Sequence, residues 1–312
     1  CRNDIDFRFM TWIQNNYQVL HNQPADPPVM VHHIARALVR QREDGIVSKI
    51  ALIVIDGLAI HQWILIRDIL HTQNPALEMV EAAVYGWLPT ITSVSRQSIF
   101  AGKAPFYFPS SIHTTSKEAA LWRKFWANNG VDGDLVEYLK ILEDSDIDKV
   151  NNLLNQSSPE ILGVVVDKVD KIMHGIELGI TGMDNQIRQW AEQGFINILF
   201  DTLLGHGYDI VLTSDHGNIE AKGFGRPSEG SIADTRGERV RIYNDSSLRL
   251  KVEERFPESI SWPAIGLPVN FLPLMAPDRR AFIKENQITV THGGMSLEEL
   301  IVPMVYITQG NK

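Results

Sequence analysis

The chain has 312 residues, 44% of them apolar, and a formal net charge of −9. That length allows one large α/β domain or two modest ones, the apolar share supports a sizeable core, and the acidity argues against a broad basic face for non-specific duplex binding. The single cysteine, Cys1, excludes an intramolecular disulfide and a cysteine-based zinc knuckle and fits a reducing cytoplasm; the longest apolar run, ALIVIDGLAI, is broken by Asp56 and is too short to cross a bilayer.

Residues 1–27 are polar, end in NQPADPP and read as a partly helical lead-in. No charged, leader-like stretch precedes an apolar one, and a first residue other than Met suggests a fragment or trimmed chain, with 1–48 as the lead-in and 49–312 as the domain proper. VMVHHIARALVRQRED (29–44) has apolar residues at helical spacing. KIALIVIDG (49–57) reads as a buried parallel strand that presents Asp56 at its carboxyl end. A helix is expected over 59–72, a strand over 78–88, and a helix over 116–130 closed by Asn and Gly. ILGVVVD (161–167) is a second buried strand, 184–207 a long amphipathic helix, and YDIVLTSDHG (208–217) a third strand ending in acid. A long loop rich in Gly, Ser and Arg is expected over 218–240 and short strands and loops over 240–290, the whole a loop-rich insertion of about 218–290, before ITVTHGG (288–294) and IVPMVYI (301–307) close the chain with β character. Strands alternating with helices predict an α/β fold, a mainly parallel central sheet with helices on both faces.

Ligands of open α/β sheets sit outside the carboxyl ends of the strands. VIDG, VVVDKVD and LTSDHG deliver acids to that one edge, where they repel unless something positive sits among them. A metal ion is the economical solution. Asp170 and His174 lie one helical turn apart on one face, Asp215 and His216 are adjacent and diverge, and His292 precedes two glycines that leave room for an approaching group. Carboxylate with imidazole suits zinc, or manganese where oxygen dominates. Each feature alone has an ordinary reading: Asp56 as a turn acid, Asp170 and His174 as a solvated helix pair, Asp215-His216-Gly217 as a turn, His292 as a hydrogen-bonded core histidine. Their convergence favours the metal. Upstream, LPTITSVSRQSIFAG (88–102) crowds Thr90, Thr92, Ser93, Ser95 and Ser98 at the entrance to a short helix, where hydroxyls commonly serve as caps.

The order Asp56, Thr92, Asp170-x-x-x-His174, Asp215-His216, His292 resembles the alkaline phosphatase superfamily, and VIDG, LPTITSVSRQSIFAG, VDKVDKIMHG, LTSDHGNIEA and THGGMSLEELIVP resemble the PglZ domain of BREX and related phage-growth-limitation systems. The motifs run from residue 50 to about 307. The resemblance implies two divalent ions, zinc or manganese: one held by Asp170, His174 and His292, the other by Asp56, Asp215, His216 and the nucleophile oxygen. In the related nucleotide pyrophosphatase/phosphodiesterase branch the nucleophile is a Thr three residues after a Pro and ten before a Gly, and Pro89, Thr92 and Gly102 keep that spacing, so Thr92 is the implied nucleophile. That branch also carries an Asn three residues after the nucleophile to hold a phosphoryl oxygen; Ser95 stands here, followed by Arg96, and either is a candidate replacement. Arg226, Arg236 and Arg239, in the loop 222–240, are further candidate phosphate contacts, against the alternative of a mobile solvated loop.

The implied activity is phosphoester hydrolysis, as a phosphatase, a phosphodiesterase or a nuclease, on a phosphoester that includes nucleic acid or oligonucleotide among its candidates. The implied setting is the cytoplasm beside other BREX proteins such as a methyltransferase, with no membrane association. Three competing readings differ in signature. A sulfatase needs a Cys- or Ser-x-Pro-x-Arg run, and TSVSR lacks the Pro. A phosphoglycerate or phosphopentose mutase needs a large cap domain; the stretch between Thr92 and Asp170 is tight for the phosphoglycerate type and does not decide against the phosphopentose type. A scaffold would use the metals for structure alone and would tolerate loss of Thr92.

Overall fold

A computed structural model describes residues 2–175, 178–228 and 237–310. In chain order the elements are α1 (Arg2–Leu20), α2 (Val31–Glu43), β1 (Ile50–Ile55), α3 (Ile60–Gln73), β2 (Leu77–Tyr85), α4 (Thr92–Ala101), α5 (Glu118–Ala127), β3 (Val136–Ile141), α6 (Ile147–Gln156), β4 (Ile161–Val166), α7 (Lys168–Gly175), α8 (Gly179–Glu192), α9 (Phe195–Gly205) and β5 (Asp209–Thr213). They continue with β6 (Ile219–Gly223), β7 (Val240–Tyr243), α10 (Ser246–Arg255), β8 (Ile260–Ser261), β9 (Leu272–Met275), β10 (Arg280–Ala281), β11 (Ile288–Thr291), α11 (Leu297–Leu300) and β12 (Ile301–Gln309).

The central sheet has the order β2-β12-β5-β1-β4-β3. Strands β3, β4, β1 and β5 run parallel, whereas β12 is antiparallel to both β5 and β2, so the sheet is mixed. Ile50 of β1 lies level with Ile161 of β4 and with Asp209 of β5. That register brings Ile55, Val166 and Thr213 out at one edge, and the residues that follow each strand share it. β1 is buried along its whole length and alternates between two cores. Leu52 and Val54 face the core built with α2, α4 and α5; Ala51, Ile53 and Ile55 face the core built with α3, α8 and α9. A strand covered on both faces must be apolar at every position, which accounts for IALIVI.

Three sequence expectations change. The helix predicted over 184–207 is two helices, α8 and α9, because Gly194 adopts φ +85°, a left-handed conformation that a helix cannot continue through. The loop expected over 218–240 begins with a strand, β6, and the region of short strands expected over 240–290 also holds a helix, α10; the strands form two small sheets, ordered β10-β6-β11 and β7-β9-β8. Residue 48 is not a seam either. Ile13 and Tyr17 of α1 are fully buried in the same core as Leu52, Trp87 and Trp262, and the Tyr17 hydroxyl accepts a hydrogen bond from the Leu88 amide at 2.8 Å. Arg279 ties Asp6 of α1 to Glu298, with contacts of 2.8 and 2.6 Å. Truncating an aromatic buried like Tyr17 costs about 3–5 kcal/mol, so the lead-in is part of the folded unit that carries the site.

Candidate active site

Asp56 leaves the end of β1 directly into a reversal at Gly57, whose φ of +75° suits a residue without a Cβ. The Asp215-His216 pair leaves β5 beside it. Gly217 must follow, because a Cβ there would lie 1.9 Å from the Glu298 carbonyl oxygen. Asp170 and His174 stand on α7, one turn apart as their spacing requires, with His174 Nε2 3.2 Å from Asp170 Oδ1. His292 follows β11 of the neighbouring small sheet. Its Nδ1 donates to the Thr90 carbonyl at 2.8 Å, which leaves Nε2 to face the other candidate ligands.

These six residues form two groups, Asp170/His174/His292 and Asp56/Asp215/His216, and within each the candidate ligand atoms lie within 4.8 Å of one another. The imidazoles of His216 and His292 stack at 3.8 Å, so the groups are contiguous. Thr92, the first residue of α4, sits against the second group, its Oγ1 3.1 Å from His216 Nε2 and 3.5 Å from Asp56 Oδ1. His216 Nδ1 is 3.0 Å from the Gly217 carbonyl; donation there leaves Nε2 to face Thr92.

Burial makes the charges interact strongly. It favours protonation of Asp56, but Arg96 and then His216 outweigh it and hold that carboxyl below its usual range. Asp215 is driven the other way, up to about 7, first by burial and then by repulsion from Asp56. For His216 burial works downward, and Asp215 and Asp56 overcome it to raise the imidazole. His292 is pushed down by burial and by His216. Two buried lone-pair atoms, Asp215 Oδ2 and His292 Nε2, have no hydrogen-bond partner among the described residues. A divalent cation satisfies a carboxylate oxygen and a neutral imidazole nitrogen alike, so this donor set fits zinc or manganese.

The site opens into a cavity of about 300 Å³ that Thr92 and His292 share with Ser93, Lys140, Asp167 and Lys171. A larger cavity, about 570 Å³, lies elsewhere among Phe224, Phe256 and Arg280 and contains none of the predicted site residues.

The family profile of the BREX system PglZ alkaline phosphatase-like domain matches residues 34–307. The chain belongs to this PglZ family. A search of the curated proteins finds no match. Among solved structures, murine ectonucleotide pyrophosphatase/phosphodiesterase 5 is similar with a TM-score of 0.61 at 12% identity, over 82% of this chain and 87% of that one. The human protein of the same name is similar with a TM-score of 0.56 at 12% identity, over 83% and 87% of the respective chains. An inactive variant of the murine protein in complex with AMP gives 0.55 at 11% identity over the same shares. At these identities the likeness establishes the alkaline phosphatase-like fold.

In this PglZ domain the expected phosphate contacts are placed differently from the metal-ligand candidates. Ser95 is fully buried, and its Oγ accepts a hydrogen bond from the Trp87 amide at 2.9 Å, so it supports the chain before α4 and is not part of the cavity lining. Arg96 reaches the floor of the cavity but is only 1% exposed: it donates to Asp56 and, at 2.7 Å, to Glu118, and lies 3.5 Å from Asp167. Its guanidinium is already committed to carboxylates. Arg239 is buried as well, held by Glu299 at 2.9 Å and by the carbonyls of Asp278 and Arg280. Arg226 is exposed on the loop after β6, and Arg236 lies outside the described residues.

One residue at the site, Glu118, escaped sequence reading. Glu118 comes from α5 and pairs with Arg96 and with the Tyr138 hydroxyl, at 2.6 Å; no local motif announces it. Asp167, the strand-end acid of VVVDKVD, stands directly after β4 and pairs with Lys140 at 2.9 Å, a partner that no local motif announces.

Proposed function

We propose that this PglZ domain is a two-metal phosphoester hydrolase with Thr92 as its nucleophile, acting in a BREX phage-defence system. The observation that carries the reading is the position of the Thr92 hydroxyl against Asp56 and His216, with the Asp170/His174/His292 group adjoining through the His216–His292 stack. A structural metal site has no need of a partly exposed hydroxyl at the mouth of a cavity. The fold of the neighbouring phosphodiesterase structures and the family description support a hydrolase of this class.

Asp170, His174 and His292 would hold one divalent cation and Asp56, Asp215 and His216 the other; when bound, the pair supplies the charge that favours ionisation of the Thr92 hydroxyl and neutralises the phosphoryl oxygens. Thr92 Oγ1 loses its proton to solvent and attacks phosphorus, the P–Oγ1 bond forms, and the ester oxygen departs with its electron pair and takes up a proton from solvent where its basicity requires one. Water then attacks the phosphothreonine from the side the leaving group vacated, the P–Oγ1 bond breaks, and Thr92 regains its proton. Two in-line displacements give net retention at phosphorus. Asp56 and His216 fix the Thr92 hydroxyl before substrate arrives, which moves orientational cost out of the chemical step. Asp215 receives the Gly57 and His216 amides on Oδ1, both at 3.1 Å, and so keeps Oδ2 in place.

Substrates of the proposed class are phosphoesters, including oligonucleotides, and the proposed partners are other BREX proteins such as a methyltransferase, in the bacterial cytoplasm. No helix among the described residues is long and apolar enough to cross a membrane. The test is steady-state hydrolysis of bis(p-nitrophenyl) phosphate and p-nitrophenyl phosphate by zinc- or manganese-loaded protein, beside Thr92→Ala protein of equal metal content. Turnover that depends on Thr92 supports the reading. Equal rates in the two proteins would falsify it and favour the scaffold alternative.

A further inference from the structure

The stretch 88–102 holds five hydroxyls, and four of them are occupied. Thr90 Oγ1 donates to the Gly294 carbonyl at 2.7 Å, Ser95 accepts from the Trp87 amide, Ser98 donates to the Val94 carbonyl at 2.8 Å, and Thr92 faces His216 and Asp56. Ser93 differs. It is 5% exposed, it lines the same cavity as Thr92, Asp56, Asp170 and His292, and its Oγ has no hydrogen-bond partner among the described residues. A buried hydroxyl left idle is destabilising, and an idle one beside a nucleophile calls for a functional account.

Its position supplies that account. Ser93 is the second residue of α4, in the first turn, where the Val94 and Ser95 amides reach the Ile91 carbonyl and the amides before them lie at the end of the helix that carries its positive pole. Ile91, at the cap position, offers no side-chain acceptor. The first turn of a ten-residue helix therefore presents its positive end, a free hydroxyl and the Thr92 oxygen to one cavity. We propose that Ser93 Oγ donates a hydrogen bond to a non-bridging oxygen of the phosphoryl group under attack by Thr92, a role that the sequence had assigned to Ser95 or Arg96. The inference rests on the phosphoester reading above. Ser95 Oγ accepts the Trp87 amide away from the cavity, and Arg96 holds Glu118 through Nε and Asp56 through Nη1, whereas Ser93 has a hydroxyl without a partner among the described residues at the cavity wall.

The test uses metal-loaded wild type, Ser93→Ala and Ser93→Thr. Orthophosphate binding is measured by calorimetry and bis(p-nitrophenyl) phosphate turnover by steady-state kinetics. Ser93→Ala is expected to keep its metal stoichiometry and a thermal midpoint no lower than wild type, since it removes a hydroxyl with no partner. Its orthophosphate dissociation constant should rise about 10-fold or more, and its kcat should fall about 10²-fold, as when a single oxyanion donor is lost. Ser93→Thr, which keeps the hydroxyl, should recover most of both and covers the case of an Ala variant that folds poorly. Unchanged phosphate affinity and kcat in Ser93→Ala would overturn the assignment, as would a wild type that binds no orthophosphate. If Thr92→Ala is dead while Ser93→Ala matches wild type, the Ser93 inference fails and the hydrolase stands. If Thr92→Ala turns over normally, the hydrolase reading fails, and orthophosphate binding alone then decides Ser93.

Discussion

Replacing Arg96 with Gln removes a cation shared by three buried or largely buried carboxylates, those of Asp56, Glu118 and Asp167. The guanidinium is 1% exposed, so water cannot take its place without rearrangement. Burial already works to raise Glu118 and Asp167, and without Arg96 the cluster loses the charge that opposes that rise, with Lys140 left on Asp167 and His216 on Asp56. Breaking a buried pair from one side costs about 3–5 kcal/mol. Unfolding entropy near 2.1 cal/mol/K per residue gives about 0.65 kcal/mol/K for 312 residues, so the midpoint should drop by about 5–8 °C. The assay is thermal and urea unfolding of chelator-treated protein at pH 7.5. Adding zinc or manganese should recover part of the loss in Arg96→Gln, because a cation on Asp56 relieves the same repulsion. An unchanged midpoint in the chelated variant would refute the view that Arg96 neutralises this cluster, and would leave its guanidinium available for substrate.

Two further perturbations probe the frame around the site. His32 is held neutral by burial, with its pKa pushed down to about 2, and His33 is lowered to about 4; His33 Nδ1 accepts from the Met30 amide at 3.2 Å, a bond that protonation breaks. A folded-state pKa below the unfolded value near 6.5 gives stability that is complete above pH 6.5 and lost as pH falls, toward about 4 for His33 and lower for His32. His32 alone should contribute a loss of about 2 kcal/mol between pH 7 and pH 5. The urea midpoint of chelated protein should therefore fall over that interval, less so in His32→Gln, and a flat profile in the wild type contradicts the burial argument. Gly217→Ala would put a Cβ 1.9 Å from the Glu298 carbonyl oxygen and 3.2 Å from the Ala59 Cα, so the loop carrying Asp215 and His216 must shift. Overpacking of this kind costs about 1–3 kcal/mol, and metal stoichiometry should fall with the thermal midpoint; retention of both would show that the loop has slack.

The sequence exposed the candidate metal ligands because each sits where local rules put it. Asp56 and Asp215 follow strands, and parallel register with equal starts forces strand ends to one edge. Asp170 and His174 need only a helix. Assignments that depend on distant partners were not legible. Whether Arg96 meets phosphate or carboxylate depends on Glu118 and Asp167, which are 22 and 71 positions away in the chain and are delivered by α5 and β4. Ser93 and Ser95 have the same chemistry and near-identical sequence contexts, and only the direction of α4 decides which faces the cavity. The small sheets within 218–290 come from pairings such as β6 with β11, far apart in sequence and short enough to pass for loop. The break at Gly194 was visible as a residue, but a single glycine is tolerated in many helices and becomes a terminus only when its φ turns positive.

The central claim is that Thr92 becomes covalently bonded to phosphorus. Metal-loaded protein mixed with bis(p-nitrophenyl) phosphate, quenched in acid on the timescale of one turnover and digested, should give a peptide carrying a p-nitrophenyl phosphoryl group on Thr92, seen by mass spectrometry. The Thr92→Ala protein should give none, with one p-nitrophenolate released per adduct in the wild-type burst. Turnover with no adduct at Thr92, or an adduct on another hydroxyl of residues 88–102, would contradict the account.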